Sequence, residues 1–312
     1  RGYYAGVAAL IEGQGDRLTV DAPILIRTAY LELDGTVRVP VGATLVRHSV
    51  AGHEVAETHA KAAGVLTALA GESRMRPSPS FAEDPAIAAA LTARNRTLAP
   101  FWLRPQGADA ARPALAGRSV LIVDAEDRWT AMLAHLLRRL GMRAEVQRWD
   151  EAGPAAGDVY DLLLAGPGPG DPRDVADPRI ARLHDVVRAR LAAQRPLLAV
   201  CLSHQVLAGQ LGLPVGPLPR PYQGTQRPVP LFGRETRVGF YNTYAARLAD
   251  VPPGVEAAAQ PDTGEVFALR GAGFASVQFH LESILSTVGI DLLADLVTDV
   301  LAPVPDGRAV RT

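Results

Sequence analysis

One cysteine, one lysine and few aromatic residues mark this chain of 312 residues, and each scarcity narrows what it can be. The single thiol, Cys201, excludes an internal disulfide and suits a reducing compartment such as the cytoplasm. Of 32 basic residues only Lys61 is lysine, and 33 acidic residues balance them to a net charge of −1. That balance leaves no electrostatic footprint for nucleic acid or an anionic membrane surface. No apolar run reaches bilayer-spanning length, and no secretory signal pattern is visible. Rings make up only 5% of a chain that is 48% hydrophobic, so aliphatic side chains must build the cores. The length suits one large or two small domains. The opening Arg1-Gly2-Tyr3-Tyr4 has no initiator Met, which gives the expectation of a piece of something longer.

Three zones follow from the pattern. Tyr3 to Ile11, Ala22 to Leu33 and Thr36 to Val46 are β-rich, with turn signals at Glu12-Gly13-Gln14-Gly15-Asp16 and at the hairpin pair Asp34-Gly35. An Ala-rich helix over 53–70 closes this zone at residue 71. Residues 72–117 carry six prolines and read as a linker with one helix near 84–95; its Phe101-Trp102-Leu103 should dock on a neighbouring domain. From residue 118 strands alternate with helices: strand 119–124, helix 129–140, strands 143–148 and 159–164, helix 176–193. The elbow strand comes next, then shorter β-like pieces over 213–280. That alternation predicts an α/β domain over 118–302 with a parallel sheet and sites at the strand C-termini, ahead of a tail over 303–312.

Three motifs in this last zone carry chemistry. Cys201 falls between the apolar run Pro196–Val200 and the helical run Leu202–Leu211, so its sulfur stands on a strand-to-helix turn at a helix N-terminus. There the helix dipole favours a thiolate. The alternative is a buried structural thiol. Ser276-Val277-Gln278-Phe279-His280-Leu281-Glu282 places a histidine two residues before a carboxylate that can hold and polarise it. His280 as a satisfied core histidine is the competing reading. Ala165-Gly166-Pro167-Gly168-Pro169-Gly170 makes a rigid loop whose backbone can approach a ligand. A backbone N–H there, with that of Leu202, can stabilise an oxyanion; an ordinary strand-to-helix loop would look similar.

Together, in this order, the motifs resemble the class I glutamine amidotransferases over roughly residues 117–302. The resemblance implies a flavodoxin-like parallel-sheet domain with Cys201 as nucleophile, His280 as base and Glu282 as its partner. It implies glutamine contacts from Gly168 of the oxyanion loop, Leu202, Gln205, and Thr243 and Tyr244 of the Phe240–Tyr244 segment. Two departures stand out. Ala199 and Ser203 occupy positions usually Gly, and Leu281 replaces a usual Pro. Both variants look like the amidotransferase part of phenazine-pathway aminodeoxyisochorismate synthases.

In the first zone, Glu54, Glu57 and Lys61 share one helix face at i, i+3, i+7. Two carboxylates on one face suit Mg²⁺, while an exposed helix with a Glu57–Lys61 ion pair explains the spacing equally. The ordered set Arg1–Val7, Ile24–Ala29, Val41–Val46 and this helix resembles the C-terminal end of chorismate-utilising synthases such as anthranilate synthase. Thr44 departs from a usual Gly and His48 from a usual Asp. The resemblance implies a truncated α+β chorismate-binding domain over residues 1–71, with Glu54 and Glu57 on the magnesium site. Tyr4, Arg27 and Lys61 would contact chorismate, and the Gly42-Ala43-Thr44 backbone would line the pocket. The implied whole is a fused chorismate aminase that uses glutamine, chorismate and Mg²⁺, whose partners are the rest of its synthase domain and, as the family allows, a second copy in a homodimer. An anthranilate synthase of tryptophan biosynthesis is the nearest alternative. A catalytically silent assembly or regulatory module is the alternative of another class, and the intact triad speaks against it.

Overall fold

The computed structural model describes residues 2–15, 17–71, 81, 84–104 and 110–303. Asp16, the stretch 72–80 of the expected linker and residues 304–312 of the tail lie outside the described residues. The chain divides into two compact units, one up to Asp84 and one from Pro85.

The first unit holds two small hairpins and a helix. β1 (Leu10–Gln14) pairs antiparallel with β2 (Arg17–Asp21), and the bridge Val7↔Ile24 continues that register. The turn is shorter than the sequence suggested. Glu12, Gly13 and Gln14 belong to the ladder because Gly15, at φ +61°, supplies the left-handed backbone of a tight turn. β3 (Tyr30–Leu31) and β4 (Val37–Arg38) flank the predicted Asp34-Gly35 turn. There Gly35 sits at φ +85° and the Asp34 carboxylate accepts from the Thr36 N–H at 2.9 Å. These strands are shorter than the three β-rich runs expected, since the backbone of Pro23–Leu25 bonds to Ala5, Gly6 and Ala8 in an irregular pattern that makes one bridge and no longer ladder among the described residues. Helix α1 runs over Ala51–Leu69.

The second unit opens with α2 (Pro85–Arg94) and the short α3 (Pro100–Leu103). Phe101 and Trp102 of α3 pack on the core of this unit, and the Trp102 ring stacks 5.8 Å from that of His135. The sheet then builds from β5 (Ser119–Asp124), β6 (Arg143–Arg148), β7 (Leu162–Ala165), β8 (Leu197–Val200), β11 (Glu256–Ala259), β12 (Val266–Gly271) and β13 (Phe274–Val277). Their order is β11-β12-β13-β8-β7-β5-β6; the five strands from β13 to β6 run parallel, and β12 and β11 add an antiparallel edge. α4 (Trp129–Arg139) and α7 (Gly289–Leu301) contribute to the core on one face. α5 (Pro178–Ala192) and α6 (Leu202–Gln210) contribute to that on the other. Strands covered on both faces must be apolar throughout. Leu162, Leu163, Leu164, Leu197, Leu198 and Val200 are accordingly fully buried, each stabilising the fold by about 1.5–3 kcal/mol. Beside the sheet stands a long hairpin of β9 (Val215–Leu231) and β10 (Arg234–Ala246).

Candidate active site

The site forms where the loops leave the C-terminal ends of the parallel strands, the place this topology offers to ligands. β8 and β13 pair with Val200 opposite Val277, and the Cys201 N–H donates to the Val277 carbonyl at 2.8 Å. This register sets Cys201 beside the segment that runs on to Gln278 and His280. Cys201 itself adopts φ +54° and ψ −104°, a conformation that side-chain-bearing residues avoid at a cost of about 1–3 kcal/mol. The strained elbow holds the sulfur at the wall of a cleft of about 540 Å³. Ser203 donates its hydroxyl to the Gly166 carbonyl at 2.6 Å, so the residue that departs from Gly staples the elbow to the Gly-Pro loop.

His280 lies behind Cys201, almost fully buried, with Nδ1 and Glu282 Oε1 2.7 Å apart. That contact leaves Nε2 as the ring nitrogen for the sulfur. The rings of Trp129 and Tyr241 meet its ring edge-on, with centroids 5.5 and 5.1 Å away. Burial alone would push the His280 pKa down, but the Glu282 carboxylate and the Cys201 sulfur overcome it and raise the pKa well above the ordinary 6.5. Glu282 is fully buried, and its Oε2 has no hydrogen-bond partner among the described residues. The arrangement therefore concentrates a proton on the imidazole between two acceptors.

The Gly-Pro loop lines the same cleft beside the elbow. A Cβ on Gly168 would lie 2.6 Å from the Ala125 carbonyl oxygen and 2.9 Å from the Leu202 side chain, so only glycine fits. Leu202 opens α6 and presents an N–H that the helix leaves without an internal acceptor. Gln205, Thr243 and Tyr244 line the same cleft. The geometry thus gathers Cys201, Gly168, Leu202, Gln205, Thr243 and Tyr244 around one cavity, with His280 and Glu282 directly behind Cys201. Sequence reasoning missed the wall formed by Glu126, Asp127 and Arg128 and the side chains of Gln223 and Gln278. Gln278 was legible in principle. It stands two residues before His280, where a continued strand would put both side chains on one face, although the strand ends at Val277.

In the first unit the Tyr4 ring rests on Gly42, where an added Cβ would lie 3.5 Å from it. Lys61 donates to the Gly42 carbonyl at 2.9 Å and pairs with Glu57 at 2.6 Å. Glu54 is half-buried one turn earlier on α1. Arg27 is exposed at φ +52°, and no ion pair or hydrogen bond links it to this group among the described residues. No group of three His, Cys, Asp or Glu side chains suited to a metal ion occurs among the described residues.

Comparison with known proteins accords with this geometry. The family model for glutamine amidotransferase class-I matches residues 121–300, and that for chorismate binding enzyme matches residues 1–67. The chain belongs to the class I glutamine amidotransferase family. It is 46% identical to a phenazine-specific anthranilate synthase of Pseudomonas fluorescens, over 99% of this chain and 49% of the relative. It is 45% identical to one from Pseudomonas chlororaphis, over 98% and 48%. It thus spans about half the length of these relatives. Component 2 of aminodeoxychorismate synthase from Klebsiella aerogenes is 31% identical over 56% of this chain and 97% of its own. The crystal structure of a putative GMP synthase protein from Thermoplasma acidophilum superposes with a TM-score of 0.51 at 20% identity, over 59% of this chain and 94% of that one, which establishes the fold alone. No described helix is long and apolar enough to cross a membrane.

Proposed function

We propose that residues 118–302 form a glutaminase, joined through a linker over 72–117 to the C-terminal part of a chorismate-binding domain over 1–71. The observation that carries this reading is the buried Cys201–His280–Glu282 row facing a cleft floored by Gly168 and the Leu202 N–H. The Cys201 thiolate attacks the glutamine carboxamide carbon, and backbone N–H groups at Gly168 and Leu202 hold the resulting oxyanion. The C–N bond breaks as the His280 imidazolium protonates the leaving nitrogen, giving ammonia and a thioester. Neutral His280 then takes a proton from water as its oxygen attacks, and glutamate and the thiolate are released. Glu282 keeps the ring oriented and stabilises its charged form. Gln205, Thr243 and Tyr244 contact the substrate.

The ammonia serves amination of chorismate to 2-amino-2-deoxyisochorismate by the intact protein, of the kind used in phenazine-type metabolism. Tyr4, Arg27 and Lys61 would meet chorismate, and its carboxylates pair naturally with the two cations. Glu54 and Glu57 are the oxygen donors Mg²⁺ prefers, and they would hold an ion that neutralises the substrate and eases departure of its hydroxyl. A thiolate nucleophile needs a reducing compartment to stay active, which supports a cytoplasmic setting. The test is to give the full-length protein chorismate, Mg²⁺ and amide-¹⁵N glutamine. The labelled nitrogen should appear in 2-amino-2-deoxyisochorismate. Labelled anthranilate with pyruvate would overturn the product assignment, and unlabelled product would overturn the glutaminase role.

A further inference from the structure

Gln278 is almost fully buried beside the nucleophile, and its backbone N–H donates to the Phe267 carbonyl at 2.8 Å. Its Nε2 lies 3.8 Å from Cys201 Sγ, within reach of an N–H···S hydrogen bond. Its Oε1 accepts from Gln205 Nε2 at 3.0 Å. Gln205 Nε2 also donates to the Tyr244 carbonyl at 2.6 Å. A backbone carbonyl can only accept, so the Gln205 atom facing Tyr244 must be nitrogen. The second N–H of that nitrogen requires an acceptor, which turns Gln278 Oε1 toward Gln205. The Gln278 nitrogen is thereby aimed at the sulfur. One carbonyl on the substrate-lining strand β10 sets the direction of the whole row.

We infer that Gln278 is a positioning residue for the glutaminase reaction. Its amide N–H stabilises the Cys201 thiolate, and its carbonyl locks Gln205 with Oε1 left as an acceptor in the cleft for a substrate N–H. A neutral donor suits this place, because it favours the anion without competing with His280 for the proton. The titratable groups around the sulfur are His280 with Glu282 behind it, and Glu126, Asp127, Arg128, Tyr241 and Tyr244 along the same cleft; Gln278 and Gln205 add only neutral amides. The inference rests on the reading of Cys201 as nucleophile.

Cys201 is the one thiol in these 312 residues, and iodoacetamide adducts mapped to its peptide report it by itself. Gln278→Glu keeps the shape and the acceptor for Gln205 but puts a carboxylate oxygen beside the sulfur. Its alkylation profile should move to higher pH than that of the wild type, with kcat for glutamine reduced about tenfold and KM little changed. Gln278→Met, a second variant without a buried charge, should move the profile the same way by less and should raise KM as Gln205 is released. Near-UV circular dichroism establishes that each variant is folded. A role confined to packing would lower stability and leave the alkylation profile in place. Overlaid profiles in folded variants of an enzyme that hydrolyses glutamine would overturn the inference alone. Glutamine hydrolysis that persists in Cys201→Ala would overturn the reading beneath it.

Discussion

The two units of this chain carry the same kind of sequence signal, and they differ most in burial. Among the described residues up to Asp84 none is buried, and Tyr3, Leu10, Ile11, Leu18 and Val20 stand exposed. In the second unit the strands that end at the site are fully buried on both faces. Spacing along a sequence says which side chains share a face. A packed core turns that shared face into fixed distances, which is why Cys201, His280 and Glu282 form one connected row. The helix bearing Glu54, Glu57 and Lys61 lacks such support, and its carboxylate and ammonium satisfy each other at the surface.

The largest expected effect separates chemistry from folding in the buried unit. Cys201→Ala should lower glutamate release by about 10⁴-fold or more, with a melting temperature close to that of the wild type. Appreciable turnover in the alanine variant would remove the nucleophile from the site. Next comes Gly168→Ala. The added methyl would press against the Ala125 backbone, so the loop must shift, and on the proposed mechanism its N–H would leave the oxyanion. Loss of one such donor costs about 10²–10³-fold in kcat, and kinetics should show kcat falling more than KM rises.

The two buried histidines of the second unit sharpen the comparison through opposite pH responses. Burial lowers the His204 pKa from 6.5 to about 4, with its ring between the Ser276 hydroxyl and the Val266 carbonyl. The unfolded chain therefore binds this proton more readily, and stability falls as pH drops from 6.5 toward 4, by about 3 kcal/mol. Urea unfolding should show a smaller acid loss in His204→Asn than in the wild type. His280 runs the other way, because its folded pKa is raised. Its contribution is fully present below pH 6.5 and is lost as pH rises through the folded value. Glu282→Gln should therefore be most destabilising, relative to the wild type, on the acid side. A constant difference across pH would contradict the charged pair.

Much of the buried unit was legible because its signals are continuous. Leu162–Ala165 and Leu197–Val200 are apolar runs bounded by turns, as doubly covered strands must be. The long hairpin was not legible. β9 carries Pro217, Pro219, Pro221, Pro228 and Pro230, which argue against a strand, yet it pairs only with β10 and has a free side where a missing N–H costs little. In the first unit the opposite error occurred. β-rich composition promised long strands, but a strand needs a regular ladder, and the bonds of Pro23 and Leu25 to Ala5, Gly6 and Ala8 form only the bridge at Ile24 among the described residues. Among the candidate site residues, motif order foretold that Cys201, His280, Glu282 and the Gly-Pro loop would meet at one cleft. Gln278 was overlooked because its role comes from the direction of amide groups, which spacing does not encode.

The smallest effect tests the exposed unit. Glu57 is about half exposed and pairs with Lys61 across one helical turn, a contact worth about 0–1 kcal/mol. Glu57→Gln should thus leave thermal unfolding nearly unchanged and glutamate release at Cys201 unaffected. On the proposed reading, the same substitution in the full-length protein would remove one of two oxygen donors for Mg²⁺ and free Lys61 beside Gly42. Magnesium titration of ammonia-driven chorismate consumption should then shift to higher concentration, in Glu54→Gln as well. Unchanged magnesium dependence in both variants would mean that the pair is an ordinary surface ion pair. Only the buried unit would then convert sequence spacing into a site.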